Sequence, residues 1–521
     1  MSSPSITTAR QAWWRIAIAA SFLLAASLYL LLPPSPDQFD HAYSAWRLLS
    51  GDVPYRDVMD VNWPGVIALH AVSLSVFGVN TWSWRAFDFL LMIPAALCLA
   101  DLVRQSVGDL GGRIALLVTP LLYVSAGYWV AGQKDMTGGL LLVAALWLHV
   151  RGYRHGGVAL HAAAGMCIGL AVLNKPTLAL LLPMLPVHAL AHRYPWPRVA
   201  VATLIGAAAF CIALALAVVA LLSLGTGWRD FAEMLFTYPQ SVRSLNAAAL
   251  NHVLDKLVHL RMSGFWTLLI AACLPVWAVL YRRRALSMAA TALGVLWLTG
   301  LLSAIVQVHG YGYHLSPSLL AAIGTLSIAL ALGIGAESST GRSAWRSLIA
   351  IATVLVVAGG VAYRLQLSYG GLLDAGRAGN LDPYRERFRA EAGSTLSLAD
   401  ALRFVRSLDH EADRSCVFFV GEGSAINLLA QRPYPTRFYY LPTIRRAEPP
   451  LPMSAHWNEL WAADLARADC RYVLVSYARH ADWIDGPSEA AAALRALLAR
   501  YEQVESLGRD GAVRVYRLRG N

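Results

Sequence analysis

The chain has 521 residues, 57% of them hydrophobic and 14% charged, with 43 Lys and Arg against 32 Asp and Glu. That charge share is about half of what a soluble globular domain carries, and the mean hydropathy of +0.49 points the same way, so a chain built mainly as soluble core is excluded. The net charge of +11 does not make a nucleic-acid surface, because the arginines stand at the ends of apolar runs and not on one soluble face.

The first apolar run, residues 16–32, follows Arg10 and Arg15. It is longer than the apolar core of a cleaved signal peptide, and Pro33, Pro34 and Pro36 follow where small residues would mark a cleavage site, so it reads as a retained membrane span. Further spans are predicted near 81–103, 113–131, 136–150, 158–173, 177–191, 199–224, 264–281, 285–306, 316–335 and 347–367, about eleven in all. Alternate loops hold Arg10/Arg15, Arg104/Arg113, Arg151/Arg154, Arg193/Arg198, Arg282/Arg283/Arg284 and Arg342/Arg346, which makes those loops cytoplasmic. The N-terminus is then inside, and the opposite loops and the C-terminal tail are outside.

The outer side collects the unusual residues. The first loop, 33–80, is acidic and aromatic, and its "PGVIALHAVSLSVFG" is too short for a span and reads as an interfacial helix. Lys134 and Asp135 stand between spans three and four, "NKP" (174–176) between five and six, and "HGYGYHLSP" (309–317) between nine and ten. One ionisable residue at a helix end is an ordinary interfacial anchor. Their gathering on one face calls for a function.

From about residue 368 apolar runs give way to charge, proline and short strand-like segments, so a membrane domain (1–367) and a soluble α/β or α+β domain (368–521) are expected. "SCVFFVG" and "CRYVLVS" read as buried strands, and "LADALRFVRSLDH" and "SEAAAALRALLARY" as helices. "GEGSAIN" follows a strand but lacks the third glycine of a dinucleotide fingerprint, and reads as a strand-to-helix turn. Cys98, Cys167, Cys211 and Cys273 lie in spans as packing residues. Cys416 and Cys470, each at the start of a predicted strand, either pair or stay as two buried thiols. No CxxC or Cys/His ligand spacing occurs in the sequence, which argues against a structural zinc site; no cofactor is the favoured reading, with a divalent metal on paired carboxylates as the alternative.

"DQFDHAYSAWRLLSGDVPYRDVMDVNWPG" followed by "LSVFGVNTWSWRAFDFLL" resembles the first outer loop and second span of bacterial GT-C glycosyltransferases, which include protein O-mannosyltransferase-like proteins and lipid A aminoarabinose transferases. The resemblance continues through "GQKDMTGGLLL", "GLAVLNKPTLALLLP" and "GYHLSPSLL", over roughly the first two thirds of the chain. Two departures are Gln38, where the family has Glu, and "NWPG" in place of a Lys-Pro-Pro stretch. The resemblance implies transfer of a hexosyl or pentosyl group from a polyprenyl-phosphate donor to a glycan, lipid or protein acceptor at the periplasmic face of a bacterial inner membrane.

Such a reaction needs one base to take a proton from the incoming hydroxyl. It needs no general acid, because a phosphate leaves unprotonated and cations stabilise its charge instead. By the resemblance, Asp37 is the base and Asp40, three residues on, the reserve. Lys175 and then Arg85 hold the donor phosphate, with Tyr313 and His314 as hydrogen-bond donors to it. Asp135 matches a second acidic position that orients the acceptor or the Lys134 and Lys175 cations. Asp52, Asp57 and Asp60 read as loop and cap residues. The competing readings are a transporter, which would show internal repeats and mid-membrane charge, and a non-catalytic glycolipid-binding membrane protein.

Overall fold

The computed structural model describes residues 6–239, 264–282, 286–307, 311–334, 343–391, 396–408, 415–421, 423–439, 454–476, 489–508 and 511–520. Arg283, Arg284, His309 and Arg342, each assigned above to a loop, lie outside these residues, as does Glu422 of "GEGSAIN". The chain forms two compact units. One is Met1–Leu32, Arg85–Ala217 and Ala248–Ser368; the other is Pro33–Trp84, Val218–Ala247 and Tyr369–Asn521.

The first unit is helical. Its main helices are α1 (Ile6–Leu31), α4 (Ser83–Val107), α5 (Asp109–Ser125), α6 (Lys134–His155), α7 (Val158–Asn174), α8 (Leu181–Ala191) and α9 (Trp196–Ser223), then Met288–Gln307, Ser316–Ile334 and Ser343–Tyr369. Among the described residues five helical stretches are long and apolar enough to cross a membrane: Gln11–Leu31, Ser83–Val107, Trp196–Ser223, Met288–Gln307 and Gly312–Ile334. α9 exposes Leu204, Ile212, Leu216 and Val219, an apolar surface that lipid covers at no cost and water would penalise. The protein is a polytopic helical membrane protein.

Two local features bring the loops of this unit into register. α7 stops at Asn174 because Pro176 disfavours helical geometry at the preceding residue, and Lys175 is extended (φ −150°, ψ 109°) before a 3₁₀ turn, Pro176–Leu180. That turn packs on α6 at Gly138, where a Cβ would lie 2.4 Å from Leu178 Cδ1, so a larger residue there would require the Leu178 side chain to shift.

The second unit holds α2 (Pro36–Leu49) and α3 (Pro64–Phe77), the latter 14 residues long and too short to span a bilayer. α2 begins with a capping box in which the Ser35 N–H donates to Gln38 Oε1 at 2.9 Å, which gives Gln38 a structural task. The C-terminal part supplies a mixed four-stranded sheet of order β1-β2-β4-β3. β1 (Val417–Val420) pairs parallel with β2 (Tyr472–Ser476), β2 pairs antiparallel with β4 (Val513–Leu518), and β4 with the edge strand β3 (Tyr501–Leu507). β1 is wholly buried, whereas β3 keeps Glu502 and Glu505 outward, charges that blunt an open edge. Cys416 and Cys470 form a disulfide at the starts of β1 and β2, with Cα atoms 4.5 Å apart. The segment between β1 and helix Ala425–Ala430 is the expected strand-to-helix connection.

The first loop and the C-terminal segment are tied together within this unit. The Met59 N–H donates to the Arg437 carbonyl (2.8 Å) and the Tyr434 N–H to the Tyr43 hydroxyl (2.7 Å). Tyr43 and Tyr439 pack with ring centroids 5.0 Å apart.

Candidate active site

Asp135 and Lys175 meet in the first unit. Asp135 lies in the first turn of α6, where the helix dipole favours a carboxylate, and is fully buried. Lys175 Nζ is 3.6 Å from Asp135 Oδ2, and the lysine side chain keeps 16% of its surface exposed. Gln307, last residue of its helix, donates from Nε2 to Asp135 Oδ1 (3.1 Å), Ser303 Oγ (3.0 Å) and Thr177 Oγ1 (3.3 Å). Thr177 and Ser303 are themselves joined at 2.6 Å. The carboxylate is thus held in place from two sides, and it holds the lysine ammonium at the edge of a polar cluster. A partly exposed cation so fixed can meet an anion without reorganising.

His314 and Lys134 lie close enough to Asp135 to act on its charge. His314 is buried in a 3₁₀ turn, Gly312–Leu315, with the Tyr313 ring 4.7 Å away. Tyr313 stacks on Tyr311 at 5.4 Å and 12°. Four predicted site residues, Lys134, Asp135, Lys175 and His314, therefore share one neighbourhood.

Arg85, in the same unit, is placed differently. It is fully buried, and its guanidinium donates to the carbonyls of Leu32 (3.2 Å), Ala131 (2.6 Å) and Tyr128 (3.5 Å) and to the Tyr29 hydroxyl (3.0 Å). Tyr29 and Tyr123 donate in turn to Asp88 Oδ2 at 2.6 and 2.7 Å.

Asp37 and Asp40 belong to the second unit, one turn apart on α2. Asp37 is half-buried; Asp40 is buried and accepts the Ser424 hydroxyl at 2.7 Å. Burial pushes the Asp40 carboxyl well above the usual carboxylate range; the Ser424 hydrogen bond opposes this, and the nearby charges of Asp37, Asp60 and Glu391 add to it. Of the two carboxyls, that of Asp37 is the more accessible. Asp60 accepts from Ser44 (2.6 Å), Tyr439 (3.0 Å) and Asn62, Asp57 accepts from the Val53 N–H, and Asp52 pairs with Arg47, so each of the three is engaged within the fold.

Sequence reasoning missed Gln307, Ser303, Thr177, Ser424, Tyr29, Tyr123 and Asp88. Asp88 alone carried a signal, as a carboxylate inside an apolar run. Among the described residues no group of three or more His, Cys, Asp and Glu is placed to hold a metal ion.

Residues 62–223 match the family described as dolichyl-phosphate-mannose-protein mannosyltransferase. No curated protein matches the chain. Among solved structures, ArnT from Cupriavidus metallidurans bound to undecaprenyl phosphate aligns with a TM-score of 0.57 at 14% identity, over 97% of this chain and 98% of that one. The apo form of that ArnT aligns at 0.52 and 16% identity over the same shares. AglB, the oligosaccharyltransferase of Archaeoglobus fulgidus, aligns at 0.47 and 13% identity, over 98% of this chain and 75% of its own. The chain thus resembles the GT-C membrane glycosyltransferases, in fold along nearly its whole length and in sequence through the mannosyltransferase-like segment 62–223.

Proposed function

We propose that the chain transfers a sugar, with inversion, from a polyprenyl-phosphate donor to an envelope glycan, lipid or protein acceptor at the periplasmic face of a bacterial inner membrane. The observation that carries this reading is the Lys175–Asp135 pair: a lysine at the edge of a buried polar cluster, fixed at 3.6 Å from a fully buried carboxylate. A cation held in that way suits the departing lipid phosphate, whose charge grows as the sugar–oxygen bond breaks. Tyr313 and His314 donate hydrogen bonds to the same phosphate, and Lys134 adds positive potential. Asp37 takes the acceptor proton, the step for which its half-exposed carboxylate suits it better than Asp40 does. Positive charge carried by the chain neutralises the phosphate, so no metal is required. The carbonyl contacts of Arg85 suit it for another task. The Cys416–Cys470 disulfide fits an oxidising compartment and supports a periplasmic second unit.

Mass spectrometry of envelope glycans and polyprenyl-phosphate sugars, from cells with and without the gene, tests the proposal. Loss of the gene should leave one lipid-linked sugar accumulated and one glycan, lipid or protein lighter by that sugar. Identical profiles would return the chain to the transporter or non-catalytic class.

A further inference from the structure

The connection between α5 and α6, residues 126–133, is buried except at Tyr128 and Trp129. A buried loop has carbonyls that neither a helix nor water satisfies, and each must find a donor. The loop uses the Gly127 and Val130 carbonyls itself, in turns that bond Val130, Ala131 and Gln133. The Gln133 carbonyl accepts from the Thr137 N–H, and those of Ala126, Tyr128 and Ala131 go to two arginines from distant helices. Arg364 donates to the carbonyls of Ser125 (3.4 Å) and Ala126 (2.9 Å); Arg85 donates to those of Tyr128 and Ala131. Gly127 has φ +80°, and a Cβ there would stand 3.3 Å from Arg364 Nη2 and 2.8 Å from Ser368 Oγ, so the approach of Arg364 depends on glycine.

The loop ends at Gln133, whose successors Lys134 and Asp135 open α6. Behind it stands a buried counter-charge. Arg85 Nη1 donates to the Tyr29 hydroxyl, Tyr29 and Tyr123 donate to Asp88, and Thr137, one turn into α6, lies 3.4 Å from Asp88 Oδ1. The start of α6 is therefore held through its preceding carbonyls by two guanidiniums and through Thr137 by Asp88. A planar guanidinium spans two carbonyls at fixed geometry, which an ammonium does not.

We infer that Arg85 and Arg364 are positioning residues that clamp the 126–133 loop and so fix Lys134 and Asp135, and that Arg85 does not bind the donor phosphate. This rests on the reading of Lys175 and Asp135 as a polyprenyl-phosphate site. Four donor contacts of Arg85 end on protein oxygens, and a phosphate would have to displace the carbonyls that shape the site.

The test uses the full chain in lipid nanodiscs, with amide hydrogen exchange followed by mass spectrometry and titration with undecaprenyl phosphate. Arg85→Gln and Arg364→Gln should each speed exchange across 126–135 by at least about tenfold, the loss of roughly one or two buried hydrogen bonds. Exchange within Met288–Gln307 should stay as in wild type, and Arg85→Lys should recover part of the protection. Any loss of affinity for undecaprenyl phosphate in Arg85→Gln should come only with that faster exchange, and Arg364→Gln, which leaves Arg85 in place, should lose affinity to a similar extent. A drop of tenfold or more in that affinity with loop exchange unchanged would make Arg85 a ligand and overturn the inference. Should Arg85→Gln fail to fold, Arg364→Gln carries the test, and unchanged exchange at 126–135 in that variant overturns the clamp. Wild-type protein that does not bind undecaprenyl phosphate would remove the donor-site reading while the exchange result still decides the clamp.

Discussion

Replacing Lys175 by Met separates the two roles of the lysine. Its ammonium lies 3.6 Å from the Asp135 carboxylate, and at an effective dielectric constant of about 20 two unit charges at that distance attract by about 5 kcal/mol. Removing one member of a buried pair costs about 3–5 kcal/mol, because the other charge stays buried and uncompensated. The lysine is partly exposed, so the lower end, about 3 kcal/mol, applies. At about 2 °C per kcal/mol for a unit of this size, Lys175→Met should unfold about 6 °C below wild type in detergent. Lys175→Met with Asp135→Asn should recover all but about 2 °C, since no lone charge remains. Undecaprenyl phosphate affinity should fall by roughly tenfold or more in the single and the double variant alike, because both lack the Lys175 cation and keep only the weaker potential of Lys134. A single variant as stable as wild type, or a double variant as unstable as the single, would refute the pairing argument. Full lipid affinity in either would refute the donor role.

Three further outcomes are expected. Asp37→Asn keeps size and hydrogen bonding but takes no proton, so transfer should fall by about a hundredfold to ten-thousandfold while undecaprenyl phosphate affinity holds; an active variant would move the base elsewhere. Asp40 has a folded pKa above its unfolded value of 3.8, so the folded state keeps that proton longer, and stability is greatest below about pH 4 and declines as pH rises through the folded pKa. Asp40→Asn should abolish that decline and unfold at a higher temperature than wild type at pH 7, and midpoints recorded from pH 4 to 8 that run parallel for the two proteins would contradict it. Cys416→Ser with Cys470→Ser opens a link between residues 54 apart in sequence, a loss of about 4 kcal/mol that urea unfolding of the second unit should register.

The long apolar runs near 16–32, 81–103, 199–224, 285–306 and 316–335 made the five long apolar helices among the described residues readable, because a membrane leaves little choice of residue over 20 positions. β1 and β2 were readable for a similar reason: "VFFV" and "YVLV" are continuous apolar runs, buried throughout except at Tyr472. β3 was not, since "YEQVESL" lies on an edge and shows water most of its side chains. The disulfide depends on β1 and β2 being parallel neighbours, a fact of strand order that two cysteines in a sequence do not carry. At the site, Asp135 and Lys175 stood out as charges at the ends of apolar helices. Gln307 did not, because an amide at a helix end is common and its task appears only when its helix is packed against α6. A buried guanidinium seeks oxygens, and sequence alone does not say that those of Arg85 include the carbonyls of Leu32 and Ala131.

The second unit draws its parts from both ends of the chain, and this sets an order of events during synthesis. Helix α2 is made early, yet its partners Ser424, Tyr434 and Tyr439 emerge only after residues 85–368 have been translated and threaded into the bilayer. At about 10 residues per second that interval is on the order of half a minute, far longer than a hairpin or helix needs to form. Throughout it α2 lacks the hydrogen bonds that Ser424 gives Asp40 and that the Tyr434 N–H gives Tyr43. A chain halted before β1 leaves those bonds unmade, so the second unit is completed only once residue 439 has been synthesised.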